Sequence, residues 1–102
     1  MYKRQIRESS KDRVQLVLHG AGAEWFGSDN GKLLQDNIKC GIAKCNINDV
    51  INAPYMELLA EKAKEGRLTA MIEEATAVMQ RETEKCMDWM GSTGKASSVK
   101  FE

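Results

Sequence analysis

Residues 20–32 read GAGAEWFGSDNGK: four glycines, an aromatic pair at Trp25 and Phe26, and a closing Gly31–Lys32. Glycines leading to a lysine are the ingredients of a phosphate-cradling loop, in which backbone N–H groups wrap the anion. Neither nucleotide motif is completed. A P-loop needs G-x-x-x-x-G-K-[ST], but Gly27 and Gly31 stand one residue too close and Leu33 occupies the hydroxyl position. The dinucleotide fingerprint G-x-G-x-x-G breaks at Trp25, where the third glycine after Gly20 and Gly22 belongs. A simpler anion site remains conceivable, with Gly27, Gly31 and Lys32 at the start of a helix. The expected reading is a structural loop, with glycines for positive φ and Trp25 and Phe26 folded back on the core.

His19 is the only histidine, and no cysteine or serine stands at a recognisable nucleophile spacing from it. Cys40 and Cys45 would sit about 140° apart on a helix, which is no zinc spacing. Glu73, Glu74, Glu82 and Glu84 lack an E-x-x-H partner and read as a wet face. No catalytic residue, metal ligand or cofactor is assigned on these grounds. Three cysteines cannot all pair within one chain, and no apolar leader precedes them. Reduced thiols in a cytoplasm are expected, with Cys86 unreactive on an apolar stripe. No apolar run approaches the roughly 20 residues of a membrane span.

The elements that must position these residues read as one α+β domain over residues 1–102. Hydrophobic residues at 42% and charged residues at 29% are ordinary for a globular chain and argue against disorder. Tyr2-Lys3-Arg4-Gln5 resembles what a transposase sequencing-library adapter encodes, which would make residues 1–5 a non-native scar. RVQLVLH, residues 13–19, alternates Val14, Leu16 and Leu18 with Arg13, Gln15, Val17 and His19 and predicts a strand with one buried face. Its pairing partner is sought in residues 2–8, in AEWFG, or in the tail SSVKFE. Residues 32–45 predict a helix through Leu34, Ile38, Gly41, Ile42 and Cys45. Pro54 suits the first turn of a second helix reaching about Glu65. Gly66 then turns the chain into a long helix over residues 68–90. Residues 92–97 read as a flexible linker to a short C-terminal strand. The expected fold is therefore a small antiparallel sheet of two or three strands packed by three helices, the last two forming an antiparallel hairpin.

The long helix carries Leu68, Met71, Ile72, Ala75, Val78, Met79 and Cys86 on one stripe. Ile72 is expected in the core, where truncation to Ala costs about 2–5 kcal/mol. Met87, Trp89 and Met90 lie near the helix end and predict a partner-binding surface, with Trp25 and Phe26 joining it. By exclusion of chemistry, the expected function is a small non-enzymatic protein that docks a macromolecule, foremost another protein, with a phage or mobile-element inhibitor of host machinery as a sub-case. One alternative is a nucleic-acid module using the basic residues 3–13 with Trp25 and Phe26 for stacking, although zero net charge argues against it. A second alternative is a ligand-binding protein or enzyme using residues 20–32 and His19. Self-association through an edge strand or the long helix is compatible with each.

Overall fold

The computed structural model describes residues 2–11, 13–21 and 31–100. Helix α1 (Tyr2–Ser10) precedes strand β1 (Leu16–Ala21). Helix α2 (Lys32–Lys39) and strand β2 (Ile42–Ile47) follow. Helix α3 (Asp49–Lys62) runs through a 3-10 turn (Ala63–Glu65) into α4 (Leu68–Met90), and a last 3-10 turn covers Ala96–Ser98. This is an α+β fold in which the two final helices form the expected hairpin about Gly66, whose φ of 67° closes the turn.

Among the described residues the sheet is two-stranded and parallel, not antiparallel. The reason lies between residues 32 and 45. The N–H of Cys40 reaches the carbonyls of both Asp36 and Asn37, which closes α2. Gly41 then takes a φ of 113°, outside any helix and easy only for glycine. The chain emerges as β2, so Ile42 and Cys45 are strand residues rather than the tail of a helix. A strand reached through a crossover helix pairs in the same direction as the strand before it. The partner sought elsewhere for β1 is thus β2. Residues 2–8 are helical, and among the described tail residues 97–100 none is in a strand. The remaining candidate, AEWFG, lies outside the described residues.

Pro54 also sits differently. Helix α3 begins five residues before it, at Asp49, so Pro54 is inside the helix and offers no N–H to the carbonyl of Val50. Asp49 in the first turn suits the positive end of the helix dipole. Tyr55, Leu58 and Leu59 are half-buried, facing α4.

The core is small. Leu18 of β1, Leu34 of α2, Ile42 of β2 and Cys86 of α4 form one buried cluster, with Ile38, Cys45, Ile47, Trp89 and Met90 packed on it. From α4 it takes only the C-terminal part. A 23-residue helix runs about 35 Å, whereas six-residue strands span about 20 Å. The N-terminal part of α4 packs on α3, and Ile72 stays 41% exposed. It is not the core residue that its place on the stripe predicts. The radius of gyration, 17.1 Å, exceeds the roughly 13 Å of a compact 100-residue domain. No helix among the described residues is long and apolar enough to cross a membrane.

Candidate functional site

In β1 the core takes Leu16 and Leu18, and alternation turns Val17 and His19 to the other face. In β2 simple alternation from buried Ile42 would place Lys44 and Asn46 inward. The register prevents this. Leu16 pairs with Ile42 but Val17 pairs with Lys44, so β2 spends an extra residue at Ala43. That bulge shifts the phase of everything after it. Cys45 and Ile47 then pack on the core, and Asn46 comes out on the face of His19. One regular step on from Leu18 opposite Cys45, His19 stands level with Asn46.

The result is a polar pair near the carboxyl ends of two parallel strands. The Asn46 Nδ2 lies 3.2 Å from His19 Nδ1 and 3.5 Å from Nε2. The amide sits beside both ring nitrogens rather than aligned on one, so either tautomer accommodates it. His19 is exposed and Asn46 half-buried, which leaves the imidazole open to a substrate. Helix α2 lies between the two strands in the chain, and its N-terminus carries the positive end of a dipole. Its first residue, Lys32, bonds Asp36 at 2.7 Å. That hydrogen bond, with the charges of Lys32 and Lys39, holds the Asp36 carboxyl below the usual carboxylate range.

Of the other residues singled out from sequence, the structure brings together Gly31 and Trp89, whose Cγ would lie 2.7 Å from a Cβ built on the glycine. Gly31 caps α2 in the left-handed region, φ 77°, and is buried. Met87 is 40% exposed, while Trp89 and Met90 are half-buried against the core. Trp25, Phe26 and Gly27 lie outside the described residues. Burial pushes the thiols of Cys86 and Cys45 up, that of Cys86 with help from Glu82. Among the described residues no three His, Cys, Asp or Glu side chains stand together as a metal-holding group. Asn46 was not singled out from sequence. Its signal would have been a polar residue, 27 positions after His19 and just past the helix expected over residues 32–45, in a run whose asparagines suit caps and turns.

A parallel strand–helix–strand unit with polar side chains at the carboxyl ends of its strands is where enzymes of parallel-sheet architecture build their sites. The chain belongs to the class-II fructose-bisphosphate aldolase family, whose model, "Fructose-bisphosphate aldolase class-II", matches residues 3–95. A Coccidioides immitis (strain RS) protein assigned as a fructose-bisphosphate aldolase is 39% identical over 98 residues, covering 96% of this chain and 31% of that protein. The crystal structure of a Coccidioides immitis protein assigned as a fructose-1,6-biphosphate aldolase matches with a TM-score of 0.83 and 37% identity. That match covers 95% of this chain and 32% of the solved one. The chain thus spans about a third of the length of these relatives.

Membership in a family of catalysts overturns the expectation of a non-enzymatic docking protein, with its phage-inhibitor sub-case and its nucleic-acid alternative. Exclusion by motif failed for a physical reason. His19 and Asn46 meet only through strand pairing, and no local spacing announces them.

Proposed function

We propose that this chain supplies part of the active site for reversible aldol cleavage of a fructose bisphosphate, with His19 and Asn46 at the reacting carbon chain. The observation that carries the reading is the His19–Asn46 pair at the carboxyl ends of β1 and β2, in a chain whose residues 3–95 match the family.

The chemistry sets what such groups must do. In the open-chain ketose the C4 hydroxyl gives its proton to a base and becomes an aldehyde as the C3–C4 bond breaks. The bonding pair stays on C3 and spreads to the C2 oxygen as an enediolate, and a proton delivered to C3 completes the ketone product. Charge developing on the C2 oxygen is stabilised by donors already in place. The Asn46 amide N–H and the His19 imidazole are groups of that kind. A Lewis-acid metal is a further way to hold such charge. The described residues fit it only as a single imidazole ligand from His19, so other ligands would have to come from elsewhere. The N-terminal end of α2, with Gly31 and Lys32, suits one phosphate of the substrate through its dipole and charge. A cytoplasmic setting goes with this reading, since free Cys40, Cys45 and Cys86 suit a reducing compartment.

The test grafts residues 3–95 in place of the matching third of the Coccidioides immitis relative and measures cleavage of fructose 1,6-bisphosphate. Activity should survive the graft. His19→Ala should lower kcat by about a hundredfold or more, the scale of one lost electrostatic group, and Asn46→Ala should lower it less. A folded, active graft indifferent to His19→Ala would overturn the assignment.

A further inference from the structure

We propose that the face of the sheet bearing Val17, His19, Lys44 and Asn46 is a docking surface for the part of an aldolase chain that lies outside the match, and that a carboxylate of that partner pairs with Lys44. The inference goes beyond the active-site reading, on which it rests only for the kind of partner.

The two faces of the sheet differ in what they touch. On one, Leu18 and Ile42 are buried with Leu34 of α2 and Cys86 of α4. The make-up of the other follows from the register. Val17 stands opposite Lys44, so these two share the face that His19 and Asn46 occupy two residues further along each strand. Val17 is 41% exposed, and Lys44 and His19 are exposed as well. Parallel sheets are ordinarily covered on both faces, and two strands alone make a marginal sheet. A β-branched residue in mid-strand marks a face suited to burial against further polypeptide.

Length and charge select the occupant. The chain matches 31% and 32% of the length of its relatives, so most of such a fold remains to meet it. Lys44 is the selective feature. Among the described residues no ion pair involves it. Covering the face takes its ammonium out of water, and a desolvated ammonium is held only by an opposite charge. The paired rows of the face carry Val17, His19, Lys44 and Asn46 and no carboxylate. Two copies of this chain stacked on that face about a twofold axis would set cation against cation. The occupant is therefore a different polypeptide surface, apolar against Val17 and with an Asp or Glu opposite Lys44.

The test compares the 102-residue chain with the graft of residues 3–95 in the Coccidioides immitis relative. A short pulse of an amine-reactive reagent labels the lysines, and mass spectrometry reads Lys44 against exposed Lys64. In the free chain the two should label alike. In the graft Lys44 should label at least about tenfold more slowly, since it must await an opening. Lys44→Glu sets a carboxylate against the partner's. It should move the Tm of the free chain by no more than about 4 °C and lower that of the graft by about 10 °C, while Lys44→Arg should match the parent in both. A folded graft in which Lys44 labels as fast as Lys64, or which keeps its Tm on Lys44→Glu, overturns the proposal. Should the graft not fold, the chain is co-expressed with the relative lacking its matching third, and failure to form a complex overturns it equally. Shielding of Lys44 that rises with the concentration of the free chain gives the face to a second copy and overturns the named occupant. A graft with Lys44 shielded but indifferent to His19→Ala overturns the active-site reading and leaves the docking surface standing.

Discussion

Leu34 and Ile72 make a matched test of where the core lies. Both are large aliphatic residues on helices and both fall on apolar stripes. Leu34 has no exposed surface, whereas Ile72 is 41% exposed. Full burial of a leucine is worth about 1.5–3 kcal/mol of transfer free energy. Truncation adds the cavity left between α2, the sheet and α4, so Leu34→Ala should cost about 3 kcal/mol within a range of about 2–5. For a domain of this size each kcal/mol moves Tm by about 4–8 °C, which makes the expected fall about 12–24 °C. At Ile72 only part of the side chain leaves water, and alanine regains a few tenths of a kcal/mol of helix propensity. The net cost there should be about 1 kcal/mol or less. Urea denaturation followed by circular dichroism gives both values, provided the m-value is unchanged. Equal losses at the two positions would refute the placement of the core over the C-terminal part of α4.

The thiols should react in the order of their burial. Cys86, 1% exposed and with its thiol pushed up by desolvation, should label on the order of a hundredfold more slowly than half-exposed Cys40, since it must await an opening of the fold. Mass spectrometry after timed quenching decides, and comparable rates would contradict its burial. Asp36 should titrate below the ordinary carboxylate range because Lys32 donates a hydrogen bond to it. A depressed folded pKa gives a contribution present above the unfolded pKa and lost as pH falls through the folded one. Carboxyl NMR should therefore show Lys32→Ala moving the Asp36 titration upward. An unmoved titration would mean that the pair does not persist in solution.

The parts legible in the sequence share one property: their determinants are local. The length of α4 follows from its apolar period and its stop at Gly91, and the hairpin turn follows from Gly66. The alternation of Leu16 and Leu18 is enough to mark β1. Each is set by residues within a turn or two of one another, whose backbone preferences and spacing act before any distant contact forms. The tertiary structure alone decided the rest. Residues 42–47 are a strand because β1 is beside them to receive their hydrogen bonds, and their direction is parallel because α2 carries the chain back across. Ile72 lies on the stripe yet outside the core because α4 outruns the sheet. His19 and Asn46 come together only because the bulge at Ala43 turns Asn46 to the same face. Trp89 meets Gly31 because packing in the shared core brings the last turn of α4 against the residue that caps α2. Pairing register and packing depend on surfaces brought together across the chain, and no window of neighbouring residues contains them.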